Sequence, residues 1–307
     1  MSIEQRGGTP AKPRPAGFLS FLERPSPDSP FPPIGRALAR GFGAVTSSLP
    51  LLATAYLLVL AQWVGLVALG LEGPFGRLAN LVAIPPVSTY FDTLNGSTMF
   101  GYGGPGFAAT VALILVRALV TALLAGLVVA ALERRPASTG LRDGVRALPV
   151  SLAACLLGLG MMIVGSVILP LLGPGIGFLG SVLLLVLALF LFVYAPFVAI
   201  AAPGPLPLPE AIGVSIRAAR MPGSRHLLLS MAYLFLCLPI LVMLTPSGSA
   251  YGVNPSLATW AAALTAATLH VGFLATFAVR YLAVREFVPA ARPRAPRGAR
   301  GRAAKAR

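Results

Sequence analysis

Six stretches of this chain stay apolar for close to the about 20 residues that an α-helix needs to cross a bilayer. They cover approximately 47–70, 108–132, 149–172, 176–201, 226–245 and 256–283 of the 307 residues. A backbone in hydrocarbon must satisfy its own hydrogen bonds, which leaves helices as the conformation for runs of this length. The expected fold is therefore an all-α membrane protein of six transmembrane helices arranged as three hairpins.

Composition supports that reading. The chain is 56% hydrophobic and 11% charged, whereas soluble domains carry about 25% charged residues. A chain this poor in polar groups could not cover a core in water. Residues 1–33 are rich in Pro, Gly and Arg and are expected to be disordered, residues 34–288 to form the membrane domain, and 289–307 a disordered basic tail. The first 44 residues hold no h-region, so no cleaved signal peptide is expected.

Charge placement predicts orientation. The net charge of +15 comes from 24 Lys and Arg against nine acids. Six of the basic residues lie in 1–44, four in 133–148, three in 202–225 and nine in 280–307, while the alternate connections hold only Arg77. Cytoplasmic loops concentrate Lys and Arg, so both termini are expected in the cytoplasm of a multi-pass plasma-membrane protein. The intervening segments 71–107, LLGPGI and TPSGSAYGVNPS would then lie outside.

Three basic stretches introduce apolar runs: IGRALARGFGAVTSSLPLL, LRDGVRALPVSLAACLL and EAIGVSIRAARMPGSRHLLL, with Pro50, Pro149 and Pro222 at corresponding places. In the third, Ala211, Val214 and Ala218 share a face opposite Arg217 and Arg220. Such a helix is expected to lie in the interface, with Arg217, Arg220 and Arg225 near anionic headgroups. Duplication and convergent membrane-entry grammar both account for the repeat. Three hairpins, each behind a basic juxtamembrane helix, together with PEAIGVSIRAARMPGSRHLLLSMAYLFLCLPIL, resemble the bacterial membrane domain associated with glycerophosphoryl diester phosphodiesterases and its free-standing relatives. The resemblance would span about 34–288. It implies a membrane domain without catalytic residues of its own, because the chemistry in the fused enzymes belongs to a barrel that has no counterpart here.

The inventory for catalysis is thin. Two histidines, His226 and His270, and nine acids lie far apart in sequence, with no acid in the central part of an apolar run. Metal-assisted hydrolysis needs several such ligands converging on one ion, so neither a metal nor a cofactor is expected, nor enzymatic activity. Cys155 and Cys237 sit inside apolar runs and read as packing residues. GIGFLG at 175–180 matches a dinucleotide fingerprint but lacks the preceding strand that the fingerprint requires, and reads as a glycine-rich turn.

Three polar residues stand out as functional candidates: Arg117, His270 and Arg280. An arginine inside a spanning helix costs about 2.5–3.5 kcal/mol on insertion scales. Arg117 can offset this by snorkelling outward or by facing the bundle. Beside it runs a small-residue stripe, Ala118, Ala122, Gly126 and Ala130, suited to close helix packing. His270 needs a partner in the membrane, either a structural hydrogen bond or a relay. Thr268, Gly272, Thr276 and Arg280 form a second stripe, whose threonines can bond their own i−4 carbonyls. The tail ARPRAPRGARGRAAKAR lacks stacking aromatics, so its expected partner is the anionic bilayer surface rather than nucleic acid. Homo- or hetero-oligomers remain open. The function expected is a non-catalytic scaffold, assembly or lipid-organising component, and the alternative is a transporter or permease subunit whose path is lined by Arg117 and His270.

Overall fold

A computed structural model describes residues 29–68, 80–84, 105–202, 204, 206–244 and 256–288. Among them the regular structure is helical throughout: α1 (Ile34–Ser47), α2 (Leu49–Ala68), α3 (Pro105–Leu132), α4 (Ala137–Ile163), α5 (Pro174–Phe192), α6 (Ala195–Ala201), α7 (Leu208–Ala219), α8 (His226–Leu244) and α9 (Leu257–Val284). Four segments are long and apolar enough to cross a membrane: Ile114–Leu132, Ala137–Met161, Pro174–Ala201 and Leu257–Val284. The α1–α2 pair, bent by 80°, makes a fifth if it is taken as one span. Leu57, Leu183 and Phe235 are more than 60% exposed on the outside of the bundle. Exposed apolar surface of this kind is solvated by hydrocarbon and disfavoured by water, and the chain reads as a multi-pass membrane protein.

The three proline-marked entries do not behave alike. At the first, the chain breaks at Ser48 and Pro50 falls in the opening turn of α2, where its missing N–H costs nothing. At the third, Pro222 lies in the link between α7 and α8. At the second, α4 runs straight through Pro149, although an interior proline removes one hydrogen bond and costs about 3 kcal/mol. The expected boundary near residue 149 is therefore absent, and one helix joins the basic entry to the apolar run.

The amphipathic helices also differ from expectation. Their apolar faces do not rest on lipid. Ala37, Gly41 and Val45 of α1 are buried against α9, and Ala211, Val214, Ser215, Ala218 and Ala219 of α7 are buried against α5 and α6. Amphipathic periodicity demands a cover for the apolar face without specifying which. Here the bundle provides it, leaving Arg217 and Arg220 exposed.

A close crossing joins α3 to α4, across the boundary between two expected hairpins. A Cβ on Gly126 would overlap the Gly140 carbonyl oxygen and come within 2.7 Å of the Gly144 amide nitrogen. A Cβ on Gly144 would lie 2.7 Å from the Ala122 carbonyl oxygen, and one on Gly140 would lie 2.8 Å from the Ala130 Cβ. Ala122, Gly126 and Ala130 thus seat against a second small-residue pair, Gly140 and Gly144. Ala118 packs with Ile114 and Cys155.

Other segments depart from the sequence reading. Residues 80–84 lie in the stretch expected to be an outer loop, yet Leu81, Val82, Ala83 and Ile84 are all buried beside α2, α3 and α9. Asn80–Val82 form a short 3-10 turn, and backbone outside regular α-helix is tolerated in a membrane protein where protein surrounds it. Its amides find side-chain partners: Leu81 N donates to Gln62 Oε1 at 3.2 Å and Ile84 N to the Tyr233 hydroxyl at 3.1 Å. At the N-terminal boundary, Phe31 is buried, so the packed domain begins before residue 34. GIGFLG occupies the first turns of α5 rather than a turn, with Gly177 close against Pro170 and Gly180 against Leu169. The remaining residues of the expected outer loop, including Glu72, Arg77 and Asp92, and the segments 1–28 and 289–307 lie outside the described residues.

Candidate functional site

Two polar groupings occupy the bundle. The first is at its basic end, where α1, the end of α3, the start of α8 and the end of α9 meet. Ion pairs and hydrogen bonds, local and long-range, hold these ends together. Arg285 pairs with Glu133 at 2.9 Å, Glu133 with Arg135 at 2.9 Å and Arg135 with Asp143 at 2.8 Å. Arg146 donates to the Ala202 carbonyl at 3.2 Å.

Arg280 is the centre of this end. It is 1% exposed. One terminal nitrogen donates to the Pro32 carbonyl at 2.8 Å and the other to the Ser224 carbonyl. Its guanidinium stacks 4.9 Å from the Phe31 ring centroid, an attraction that strengthens on desolvation. A single side chain therefore ties the segment before α1 and the α7–α8 link to α9. Nearby, His226 is buried with its ring centroid 4.4 Å from Tyr194, 5.3 Å from Phe277 and 5.5 Å from Phe190. The His226 ring also faces the Leu189 backbone, and the Tyr194 hydroxyl faces the Arg280 guanidinium, so polar groups line the interior of this end.

A cavity of about 1030 Å³ opens beside Arg280. Its charged lining consists of Arg36, Arg40, Arg225, Arg280 and Arg285 against one carboxylate, Glu133. Arg225 reaches the wall from a left-handed backbone, φ 44°, and Gly223 two residues earlier has φ 73°. A left-handed non-glycine residue is held there by its surroundings at a cost of order 1–3 kcal/mol. Of the arginines expected at lipid headgroups, Arg217 and Arg220 lie on the exposed side of α7 and Arg225 lines the cavity.

The second grouping lies midway along α9. His270 is 1% exposed and accepts or donates a hydrogen bond at Nδ1 with the Tyr233 hydroxyl, 2.8 Å away. That hydroxyl also accepts from Ile84 N. Arg117 is 2% exposed, and lies within electrostatic range of His270. Burial places it inside the bundle rather than snorkelling. Arg117 and His270 are thus both buried within electrostatic range of one another, while Arg280 belongs to the basic end.

The threonines of α9 bond their i−4 carbonyls: Thr265 to Ala261, Thr268 to Leu264 and Thr276 to Gly272. Thr268 also meets the Tyr56 hydroxyl at 2.9 Å. The same stripe seats α1, because a Cβ on Gly41 would lie 2.7 Å from Thr276 N and one on Gly272 would overlap the Phe42 ring. Sequence reasoning missed Tyr233, Tyr194 and Phe31, since nothing local marks their partners. The pair Gly140 and Gly144 was visible as small residues at i, i+4.

Tyr233→Phe should be felt beyond its own side chain. It leaves Ile84 N buried without an acceptor and His270 without its bond, and an orphaned buried donor costs about 1–3 kcal/mol. Hydrogen exchange of purified protein in nanodiscs should accelerate at residues 81–84, with the helices unaffected. Unchanged exchange there would separate Tyr233 from the segment.

No protein-family model, curated protein or solved structure matches the chain. Among the described residues no group of three or more His, Cys, Asp or Glu could hold a metal ion.

Proposed function

We propose that this chain is a six-span, non-catalytic plasma-membrane protein that organises anionic lipid at its cytoplasmic face, with both termini on that side. The observation that carries the reading is the collection of exposed arginines at one end of an apolar bundle. Arg36, Arg40, Arg142, Arg146, Arg217 and Arg220 are all exposed there, while two of the carboxylates at that end, Glu133 and Asp143, are engaged with Arg135 and Arg285. Each such charge near an anionic leaflet contributes about 1 kcal/mol. The hairpin arrangement and the phosphodiesterase-associated membrane domain remain part of this proposal, on the sequence features that suggested them.

The test begins with orientation. Single cysteines at Ser138 and Pro207, and separately at Gly175 and Ser256, all exposed positions, are introduced with Cys155 and Cys237 replaced by alanine. An impermeant thiol reagent on intact cells should label the second pair and spare the first. Lipid co-extracted in polymer-bounded discs should then be enriched in anionic species relative to the bulk membrane. Arg217→Gln with Arg220→Gln should weaken the anionic-lipid association by roughly tenfold or more, two charges at about 1 kcal/mol each. Bulk composition around the wild-type protein would overturn the lipid reading.

A second reading, a transporter or permease subunit, is favoured by one observation. Tyr233 bonds both His270 and the Ile84 amide just past the end of a short 3-10 turn, with Arg117 within electrostatic range of His270. Transporter sites commonly place interrupted backbone and polar side chains together. Substrate-dependent flux in proteoliposomes, lost in His270→Phe, would replace the lipid reading with this one.

A further inference from the structure

We propose that the cavity beside Arg280 is a binding site for a phosphate monoester group, carried by a lipid headgroup or by a soluble phosphate. The proposal deepens the lipid reading by naming a discrete site and the chemistry it selects. It rests on four features of the cavity.

The first is charge. Five arginines face one space, and the lone carboxylate, Glu133, is already paired with Arg285 and Arg135. No carboxylate among the described residues lies within ion-pairing distance of Arg36, Arg40 or Arg225. Like charges around a partly enclosed space repel one another more strongly than they would in open water, and a multiply charged anion relieves that repulsion.

The second is depth. Retaining a loop on one side of the membrane requires basic residues near the surface. It gives no reason to bury Arg280 to 1% exposure on a cavity wall. Arg280 is the most deeply buried of the five, and its two carbonyl bonds fix the guanidinium at the wall.

The third is donor type. All the basic lining groups are guanidinium, a planar fork that matches phosphate oxygens in pairs. A monoester phosphate offers three terminal oxygens and up to two negative charges, more than a carboxylate or a diester provides. The fourth is backbone. Arg225 is held in a left-handed conformation next to Gly223, and this turn sets its side chain on the wall. At about 1030 Å³ the cavity exceeds a phosphate group and has room for what the phosphate is attached to, since ligand pockets run to about 300–1,000 Å³.

The test uses the full chain in nanodiscs of zwitterionic lipid, with thermal unfolding as readout. Inorganic phosphate is titrated against chloride at matched ionic strength. A parallel set of discs contains phosphatidic acid, or phosphatidylglycerol at equal surface charge. Phosphate or phosphatidic acid should raise the melting temperature saturably, above the effect of chloride and phosphatidylglycerol. Response to phosphatidic acid alone assigns the group to a headgroup, and response to both opens the site to soluble phosphates as well. Arg36→Gln with Arg40→Gln, both exposed positions that leave the core intact, should weaken the response at least tenfold. A double variant indistinguishable from wild type, or chloride and phosphatidylglycerol as effective as their counterparts, would overturn the site. Failure here with anionic lipid still enriched around the protein leaves the broader lipid reading standing. Phosphate binding without such enrichment does the reverse.

Discussion

Gly126→Leu should leave almost no folded protein to purify. Even a Cβ at this position overlaps the Gly140 carbonyl oxygen and crowds the Gly144 amide. The neighbours are backbone atoms of α4, which cannot rotate aside as a side chain would. Overpacking a core commonly costs about 1–3 kcal/mol where neighbours can yield, and here the helices must separate instead. Parting them forfeits the close approach along Ala122, Gly126 and Ala130, and van der Waals packing is a main source of helix association in lipid. Gly160→Ala is the matched control, since a Cβ there meets nothing within 4 Å. Alanine at a compatible helical site stabilises by about 0.5–1 kcal/mol. Size-exclusion profiles of fluorescent fusions should show Gly126→Leu aggregated and Gly160→Ala monodisperse. A monodisperse Gly126→Leu that melts with wild type would remove the α3–α4 seam.

Arg280→Leu should be the most damaging substitution at the basic end. It strips the donors from the Pro32 and Ser224 carbonyls and leaves Phe31 without its cation. A buried acceptor left unmet costs about 1–3 kcal/mol, and bonds to charged groups lie at the upper end of net contributions. Two such losses amount to a large part of the roughly 5–15 kcal/mol by which native proteins are stable. The expected outcome is a lower melting temperature together with release of the segment before α1. A cysteine at Ser29 should react with a thiol reagent faster in Arg280→Leu than in wild type. Arg280→Lys keeps the charge but lacks the fork that reaches two carbonyls, and should fall between. Equal reactivity at position 29 in all three proteins would mean that Arg280 does not hold that segment.

How much of this was legible in sequence depends on how local the signal is. The ends of α3, α8 and α9 fall within a few residues of the apolar runs, because a run of that length has no other use. Small residues every fourth position in α3 announced a packing surface, and the structure supplies its counterpart in Gly140 and Gly144. Proline was a poor guide to breaks. Its effect depends on which turn it occupies, as Pro50 and Pro149 illustrate. Amphipathic helices were recognisable at α1 and α7, but periodicity does not say whether lipid or protein covers the apolar face. Least legible were the buried polar sets. Tyr233 and His270 lie 37 residues apart and Arg280 and Pro32 lie 248 apart, and no spacing rule links positions at such distances.

The segment at 80–84, which opens with a short 3-10 turn, has a consequence in time rather than in space. Its Ile84 amide is met by a hydroxyl 149 residues further along the chain. Ribosomes add about 5–20 residues per second, so the acceptor follows the donor by on the order of ten seconds. Until α8 arrives, the Ile84 amide must remain hydrated or find another acceptor, since an unmet donor in hydrocarbon costs several kcal/mol. The early helices can therefore enter the membrane in chain order, while the segment between them takes its place only afterwards. Its docking closes the assembly of the middle of the bundle, and the order of events differs there from the order of residues.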